Sequence, residues 1–175
     1  MTDDLKRAHG LSHLDAEGRA HMVDVGSKEI TRRRAVASGR VRCSPELIEA
    51  IRSHGLAKGD LPGTARLAGI LAAKKVDDLI PLCHTLPLDR VEVELEIEDD
   101  GVRIRATAST HARTGVEMEA LTAVTVAALT VIDMGKAVDP AMVIDEVRVL
   151  EKSGGRSGTY RWEDTTDVSS GEEGA

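Results

Sequence analysis

An acid and a base at the end of an apolar stretch give the strongest chemical signal in the sequence. Asp133 and Lys136 close the segment 113–136, and side chains three residues apart share one face of a helix. If the pair is buried, desolvation raises the pKa of the carboxyl and lowers that of the amine, while their attraction opposes both shifts. Such a pair suits general acid–base catalysis. An ordinary surface ion pair is the alternative.

Two further acids lie at the other end of this segment. Glu117 and Glu119 precede an uncharged run from Ala120 to Ile132, which predicts a helix buried on nearly all sides. Capping and the helix dipole explain acids here without any site. From Glu117 to Asp133 a helix extends about 24 Å, so one compact site cannot contain both ends. If both ends are functional, there are two sites or a second subunit completes one, and we expect an oligomer.

A loop between two prolines presents a cysteine beside a histidine. Pro81 and Pro87 flank Leu82, Cys83 and His84 and exclude regular secondary structure. The loop can supply a ligand, a base or a nucleophile, or it can be a buried connection with a hydrogen-bonded histidine. Two adjacent side chains are too few for a metal site, and none is predicted.

Cationic segments suited to phosphate groups occur at three places. Lys58 precedes Gly59, and Lys152 begins a glycine-rich segment that continues to Gly158. Arg33 lies in a run of three arginines, which is either a phosphate grip or the solvated edge of a strand. None of these segments is a Walker loop.

The periodicity of the remaining sequence predicts an α+β fold. Alternating apolar and polar residues predict strands, and those over 91–98 and 102–108 form a hairpin around the turn 99–101. Helices are expected to begin after Ser44 and after Asp60 or Thr64. The predicted strands cover residues 34–43, 91–98, 102–108 and 142–150. This order predicts a ferredoxin-like antiparallel sheet with helices packed on one face.

Composition and charge indicate one soluble domain. The chain has 175 residues, of which 41% are hydrophobic and 30% charged. Its net charge of −7 comes largely from acids near the C-terminus, so it says little about partners. We expect a flexible lead-in over 1–20, a single catalytic domain over 21–160 and an acidic disordered tail over 161–175.

Several classes of protein are disfavoured by the same features. Tyr160 and Trp162 are the only aromatic residues, and no basic surface is evident, so nucleic-acid binding is not expected. Two cysteines cannot build a disulfide framework, and the N-terminus has no signal-peptide core. The run from Ala120 to Ile132 is shorter than the roughly 20 residues that span a bilayer. A cytoplasmic protein without a membrane segment is expected.

Several longer blocks occur in unbroken order between about Leu11 and Gly158. They include HMVDVGSKEITRR, DLIPLCHTLPL, TGVEMEALTAVTVAALTVIDMGKAV and LEKSGGRSG. In this combination the chain resembles the cyclic pyranopterin monophosphate synthases, which form the molybdenum cofactor biosynthesis protein C family. Thr85 departs from the family pattern, which usually has proline after the histidine, and this alters the rigidity of the loop.

The resemblance implies a pyrophosphate-releasing phosphorus–oxygen lyase of molybdenum cofactor biosynthesis. Its substrate is 3′,8-cyclo-7,8-dihydroguanosine 5′-triphosphate, and its pterin product is cyclic pyranopterin monophosphate. Asp133 is then the catalytic acid–base residue and Lys136 its partner. The substrate-binding residues are Arg33, Lys58, Leu82, Cys83, His84, Glu117, Met118, Glu119 and Lys152.

The resemblance also implies a homohexamer, a trimer of dimers with the site at the dimer interface. No cofactor is required, and any Mg²⁺ arrives mainly through oxygens of the substrate triphosphate. A non-catalytic assembly that binds a phosphorylated ligand is the alternative function.

Overall fold

One open antiparallel sheet forms the base of the fold in the computed structural model, which describes residues 17–156 and 158–163. The strand order is β2-β3-β1-β4-β5. The predicted ferredoxin-like α+β class is confirmed. The strands are β1 Thr31–Arg42, β2 Arg90–Ile97, β3 Gly101–Ala112, β4 Val143–Ser153 and β5 Tyr160–Arg161. Expectations for residues 1–16 and 164–175 lie outside the described residues.

Strands β2 and β3 form the predicted hairpin, and their register follows from the alternation of apolar and charged residues. Glu94 lies opposite Arg105, and Glu96 lies opposite Arg103. The Arg103 guanidinium also donates to Glu98 at 2.6 Å, so the arginines do face the glutamate row. The apolar positions of both strands point to the other side, where the helices cover them.

Four helices complete the part of the fold that the structure describes. They are α1 Pro45–Arg52, α2 Leu61–Ala73, α3 Val76–Leu79 and α4 Glu117–Gly135. Ser44 caps α1 by accepting from the amide of Leu47 at 3.3 Å, and Asp60 caps α2 by accepting from Gly63 at 2.9 Å. The sequence pattern did not predict α3 or β5. One helical turn is too short to show a period, and a two-residue strand depends on its partner β4.

Helix α4 is the element around which the core is built. It packs on β1, β3 and β4 and lies against α2. Small residues allow this close approach: a Cβ on Gly69 of α2 would lie 2.7 Å from the backbone oxygen of Ala123, and one on Gly39 of β1 would lie 2.6 Å from Val124 Cγ1. The helix is therefore held at a fixed position over the sheet.

The expectation that α4 is buried on nearly all sides is wrong for the protomer. Leu129 is 53% exposed and Met118 is 37% exposed, while α2 exposes Leu67 and Leu71. These four residues are called the outer apolar stripe below. The fold has a single layer of helices, so their outer side has no partner within the described part of the chain.

Length and composition alone would allow α4 to cross a membrane. The mean hydropathy of its most apolar window is 1.5, and half of that window is buried inside the fold. The central helix of a globular core has the same properties. Its packing on the sheet and beside α2 accounts for the apolar sequence without a bilayer.

Candidate active site

The C-terminal end of α4 holds a carboxylate between two ammonium groups. Lys136 Nζ donates to Asp133 Oδ1 at 2.8 Å. Lys58 Nζ donates to Asp133 Oδ2 at 2.8 Å and to the backbone oxygen of Asp133 at 2.7 Å. Lys58 comes from the loop between α1 and α2, where Gly59 takes a positive φ of 84° just before the N-cap of α2. Three of the predicted site residues therefore meet at one point.

The pKa of Asp133 shifts opposite to the expectation for a buried carboxyl. Its side chain is 59% exposed. Hydrogen bonds from Lys136 and then from Lys58 lower the pKa of Asp133 to about 2. A carboxylate is disfavoured at a helix C-terminus, and here the two lysines compensate for that position. Asp133 is consequently ionised at neutral pH, in the form that accepts a proton.

The N-terminal end of α4 adjoins a cavity of about 700 Å³. Glu117 Oε1 and Lys152 Nζ form an ion pair at 3.0 Å on its wall. Arg33 Nη1 donates to the backbone oxygen of Gly154 at 3.1 Å. Positive charge and the amino end of a long helix therefore meet here, an arrangement that suits an anion.

Two cavity-lining cations were missed by sequence reasoning. Lys28 and Arg113 both line this cavity. A signal was available, because Lys28 lies in the block HMVDVGSKEITRR and Arg113 directly precedes TGVEMEAL. The spacing of neither residue within its own block indicates a site. Their proximity results from the fold, which brings Lys28 and Arg113 to the same cavity.

The glycine pair after β4 makes room for Arg33. Gly154 has a φ of +103° and Gly155 a φ of +72°, which other residues adopt at a cost. A Cβ on Gly155 would overlap the guanidinium of Arg33, and one on Gly154 would overlap the backbone oxygen of Arg32. Because Gly154 and Gly155 have no side chains, the side chain of Arg33 can pack directly against their backbone.

The loop that carries Leu82, Cys83 and His84 is irregular, as predicted, and all three side chains are partly buried. The Nε2 of His84 lies 2.9 Å from the backbone oxygen of Val23. A carbonyl oxygen only accepts, so Nε2 carries the proton in this contact. Burial raises the pKa of the Cys83 thiol, and the charge of Glu119 adds to the shift.

Thr85 supplies a tether at the position where the resemblance expects proline. Its Oγ1 donates to Asp77 Oδ2 at 2.5 Å, which joins the loop to α3. A hydrogen bond therefore restrains the residue after His84, where a proline ring would restrain the backbone directly.

Glu119 is the buried acid of the site, with 4% of its surface exposed. Desolvation raises its pKa to about 7, and the neighbouring charges of Glu117 and Asp77 add to the shift. A carboxyl group that titrates near neutral pH can both donate and accept a proton. Met118, the residue before Glu119, belongs to the outer apolar stripe.

Glu119→Gln is expected to change how stability depends on pH. Between about pH 4.5 and pH 7 the folded protein retains a proton that the unfolded chain has released, so the wild-type free energy of unfolding falls as pH rises. In the wild type this decrease in the free energy of unfolding amounts to about 3 kcal/mol, at 1.36 kcal/mol per pKa unit. The variant has no titrating carboxyl at this position and should not show the decrease. Chemical denaturation at pH 5 and pH 8 measures it.

Glu49→Gln, on the exposed side of α1, is the matched control and should follow the wild type. Equal pH dependence in wild type and Glu119→Gln would contradict the burial of an acid with a raised pKa.

The predicted site residues form two groups within the protomer. Asp133, Lys136 and Lys58 lie at the C-terminal end of α4. The other group lies around its N-terminal end and comprises Arg33, Leu82, Cys83, His84, Glu117, Met118, Glu119 and Lys152. Because α4 is one uninterrupted helix, about 24 Å separates its terminal acids.

Comparison with known proteins gives consistent matches over most of the chain. The model of the MoaC family matches residues 22–155. A cyclic pyranopterin monophosphate synthase of Streptomyces griseus is 60% identical over 158 residues, which cover 90% of this chain and 89% of that protein. The Brucella melitensis enzyme of the same name is 56% identical over 160 residues, covering 90% of this chain and 97% of that protein.

Proposed function

We propose that this chain, which belongs to the MoaC family, is a lyase that forms cyclic pyranopterin monophosphate from 3′,8-cyclo-7,8-dihydroguanosine 5′-triphosphate and releases pyrophosphate. The reaction belongs to molybdenum cofactor biosynthesis. The observation that carries the proposal is the Asp133 carboxylate held between Lys136 and Lys58. The resemblance expects the acid–base residue, its partner and a substrate-binding lysine at these three positions.

Asp133 acts as the proton acceptor in this proposal. Rearrangement of the purine portion to a pyranopterin needs several proton transfers. An ionised carboxylate accepts a proton, and the adjacent ammonium groups can return one or stabilise negative charge that develops on the substrate. Glu119, with a pKa of about 7, provides a second proton-exchanging group in the other half of the site.

The cavity at the N-terminal end of α4 binds the triphosphate in this proposal. Arg33 and Lys152 line it, and the positive end of the helix dipole adds to their attraction for an anion. The same groups stabilise the charge on departing pyrophosphate. The cavity volume of about 700 Å³ is within the usual range for small-molecule sites.

A complete site requires two subunits in this proposal, with the chain assembled as a homohexamer, a trimer of dimers. The two groups of site residues lie at opposite ends of one straight helix, too far apart to contact one small molecule. Joining the C-terminal end of one α4 to the N-terminal end of another at a dimer interface removes this difficulty. The outer apolar stripe supports assembly, because all four of its large apolar side chains are exposed in the protomer.

No resident metal or cofactor is part of the proposal. Among the described residues, no group of three or more His, Cys, Asp or Glu side chains is placed to hold a metal ion. Mg²⁺ can accompany the substrate, bound mainly by the oxygens of its triphosphate. A cytoplasmic location stays a prediction from the sequence.

Turnover of the cyclic dihydro-GTP by the purified wild-type chain tests the proposed function. Stoichiometric release of pyrophosphate with formation of the cyclic phosphate is expected. Tight binding of this substrate without pyrophosphate release would instead identify a non-catalytic binding assembly.

Gly155→Ala is expected to weaken binding of inorganic pyrophosphate by about tenfold. The added methyl group would overlap the Arg33 guanidinium and displace it from the cavity wall, and tenfold corresponds to about 1.4 kcal/mol. Isothermal titration calorimetry measures the change in affinity.

Gly158→Ala is the matched control for this substitution. Gly158 also has a positive φ, of 68°, but nothing lies within 4 Å of its Cβ position. The Gly158→Ala substitution therefore has a similar free-energy cost from backbone strain but does not displace Arg33. Equal loss of affinity in both variants would show that backbone strain, and not the position of Arg33, is responsible.

A further inference from the structure

The segment before β1 crosses the site without helix or strand. Residues 21–30, called the N-terminal arm here, are mostly exposed and so bury few side chains. Within the described part of the chain, two side chains of the protein body hold the arm by its backbone oxygens. His84 contacts the oxygen of Val23 at 2.9 Å, and Arg113 Nε donates to the oxygen of Lys28 at 3.0 Å.

Arg113 connects the arm to the cavity through two bonds. Its guanidinium holds Lys28, while its own backbone oxygen accepts from Arg33 Nη2 at 3.4 Å. The arm adds an internal turn, in which the amide of Lys28 donates to Val25 and that of Gly26 donates to Asp24. Fastening at Lys28 therefore places this turn, as one unit, beside Arg33.

We infer that Arg113 is a positioning residue that fastens the N-terminal arm so that Lys28 lines the anion-binding cavity. Ser27, Lys28 and Glu29 all line that cavity. Exposed backbone with few buried contacts opens easily, so one charge-assisted hydrogen bond accounts for a large part of its order. Arg113 thereby acts on pyrophosphate groups through Lys28, and this role rests on the proposed function.

Arg113→Met removes the donor but keeps an apolar stem, and Arg113→Lys keeps a donor that can reach the same oxygen. Without any ligand, the hydrogen-bonded amides of Gly26 and Lys28 are expected to exchange with deuterium about tenfold faster in Arg113→Met. KM for the cyclic dihydro-GTP and Kd for inorganic pyrophosphate are expected to rise about tenfold, with kcat within twofold of wild type. Arg113→Lys should restore most of each loss.

Arg90→Met is the control, because Arg90 is an exposed arginine whose ion pair, with Glu92, lies within β2. The inference is overturned if the two arm amides exchange at wild-type rates in Arg113→Met, if kcat falls while KM and Kd stay constant, or if Arg90→Met has the same effects. The exchange measurement needs no substrate. Failure of the wild type to release pyrophosphate would therefore overturn the proposed reaction, while the exchange rates would still decide whether Arg113 fastens the arm.

Discussion

Asp133→Asn is expected to lower the rate of pyrophosphate release by a factor of about 10² to 10⁴, the range that general acid–base catalysis contributes. Asparagine keeps the shape of the side chain and can still accept a hydrogen bond from Lys58 or Lys136. It cannot take up a proton. Single-turnover measurements with saturating cyclic dihydro-GTP separate this loss from weaker binding.

A matched control distinguishes chemistry from the loss of a surface ion pair. Asp99 is also an exposed carboxylate paired with a cation, Arg52, at 2.9 Å, but it lies in the hairpin turn. Asp99→Asn should retain wild-type turnover. Lys136→Ala should lose turnover as Asp133→Asn does, and both variants should remain folded oligomers by size-exclusion chromatography. Undiminished pyrophosphate release by either variant would refute the assigned roles.

Two inactive variants are expected to regain activity when they are combined in one oligomer. Asp133→Asn damages the C-terminal end of α4, and Lys152→Met damages the group at its N-terminal end. If each site takes one end from each subunit, a mixed dimer has one doubly damaged site and one intact site. Random co-assembly then restores about a quarter of wild-type activity, because half of the dimers are mixed and each has half of its sites intact.

The combination experiment needs both chains to be co-expressed with different tags, so that mixed oligomers can be isolated. A chain carrying both substitutions, co-expressed with itself, provides the baseline and should show no recovery. Mixed oligomers that stay at this baseline would show that each site is built within one protomer. The proposal of a site at the dimer interface would then be wrong.

Local sequence patterns were sufficient for much of the fold. The register of β2 and β3 follows from strict alternation, and the caps at Ser44 and Asp60 depend on residues only three positions away. These features involve short-range interactions that any matching sequence makes. Short elements such as α3 depend on tertiary contacts and leave no comparable pattern.

The site could be predicted only in part, for physical reasons that particular residues show. Spacing indicated that Asp133 and Lys136 meet, but the contact with Lys58 joins residues 75 positions apart. The pattern of apolar residues in the sequence does not distinguish residues that pack into the protomer core from residues such as Leu129 that face away from the core. For the same reason, the sequence left open whether Asp133 is a buried carboxyl with a raised pKa or part of a surface ion pair, and its 59% exposure supports the ion pair.

The unbroken geometry of α4 limits how this chain can change in length. Each residue of an α-helix turns its successors by about 100° and advances them by 1.5 Å. Insertion of a single residue within α4 would therefore rotate Asp133 by about 100°, away from Lys58. The same insertion would move Asp133 by only about 1.5 Å along the helix axis. Such a change would also shift the buried face that packs over Gly69 and Gly39. The number of residues between the two ends of this helix is therefore constrained mainly by the direction in which each side chain points around the helix axis, and less by the length of the helix.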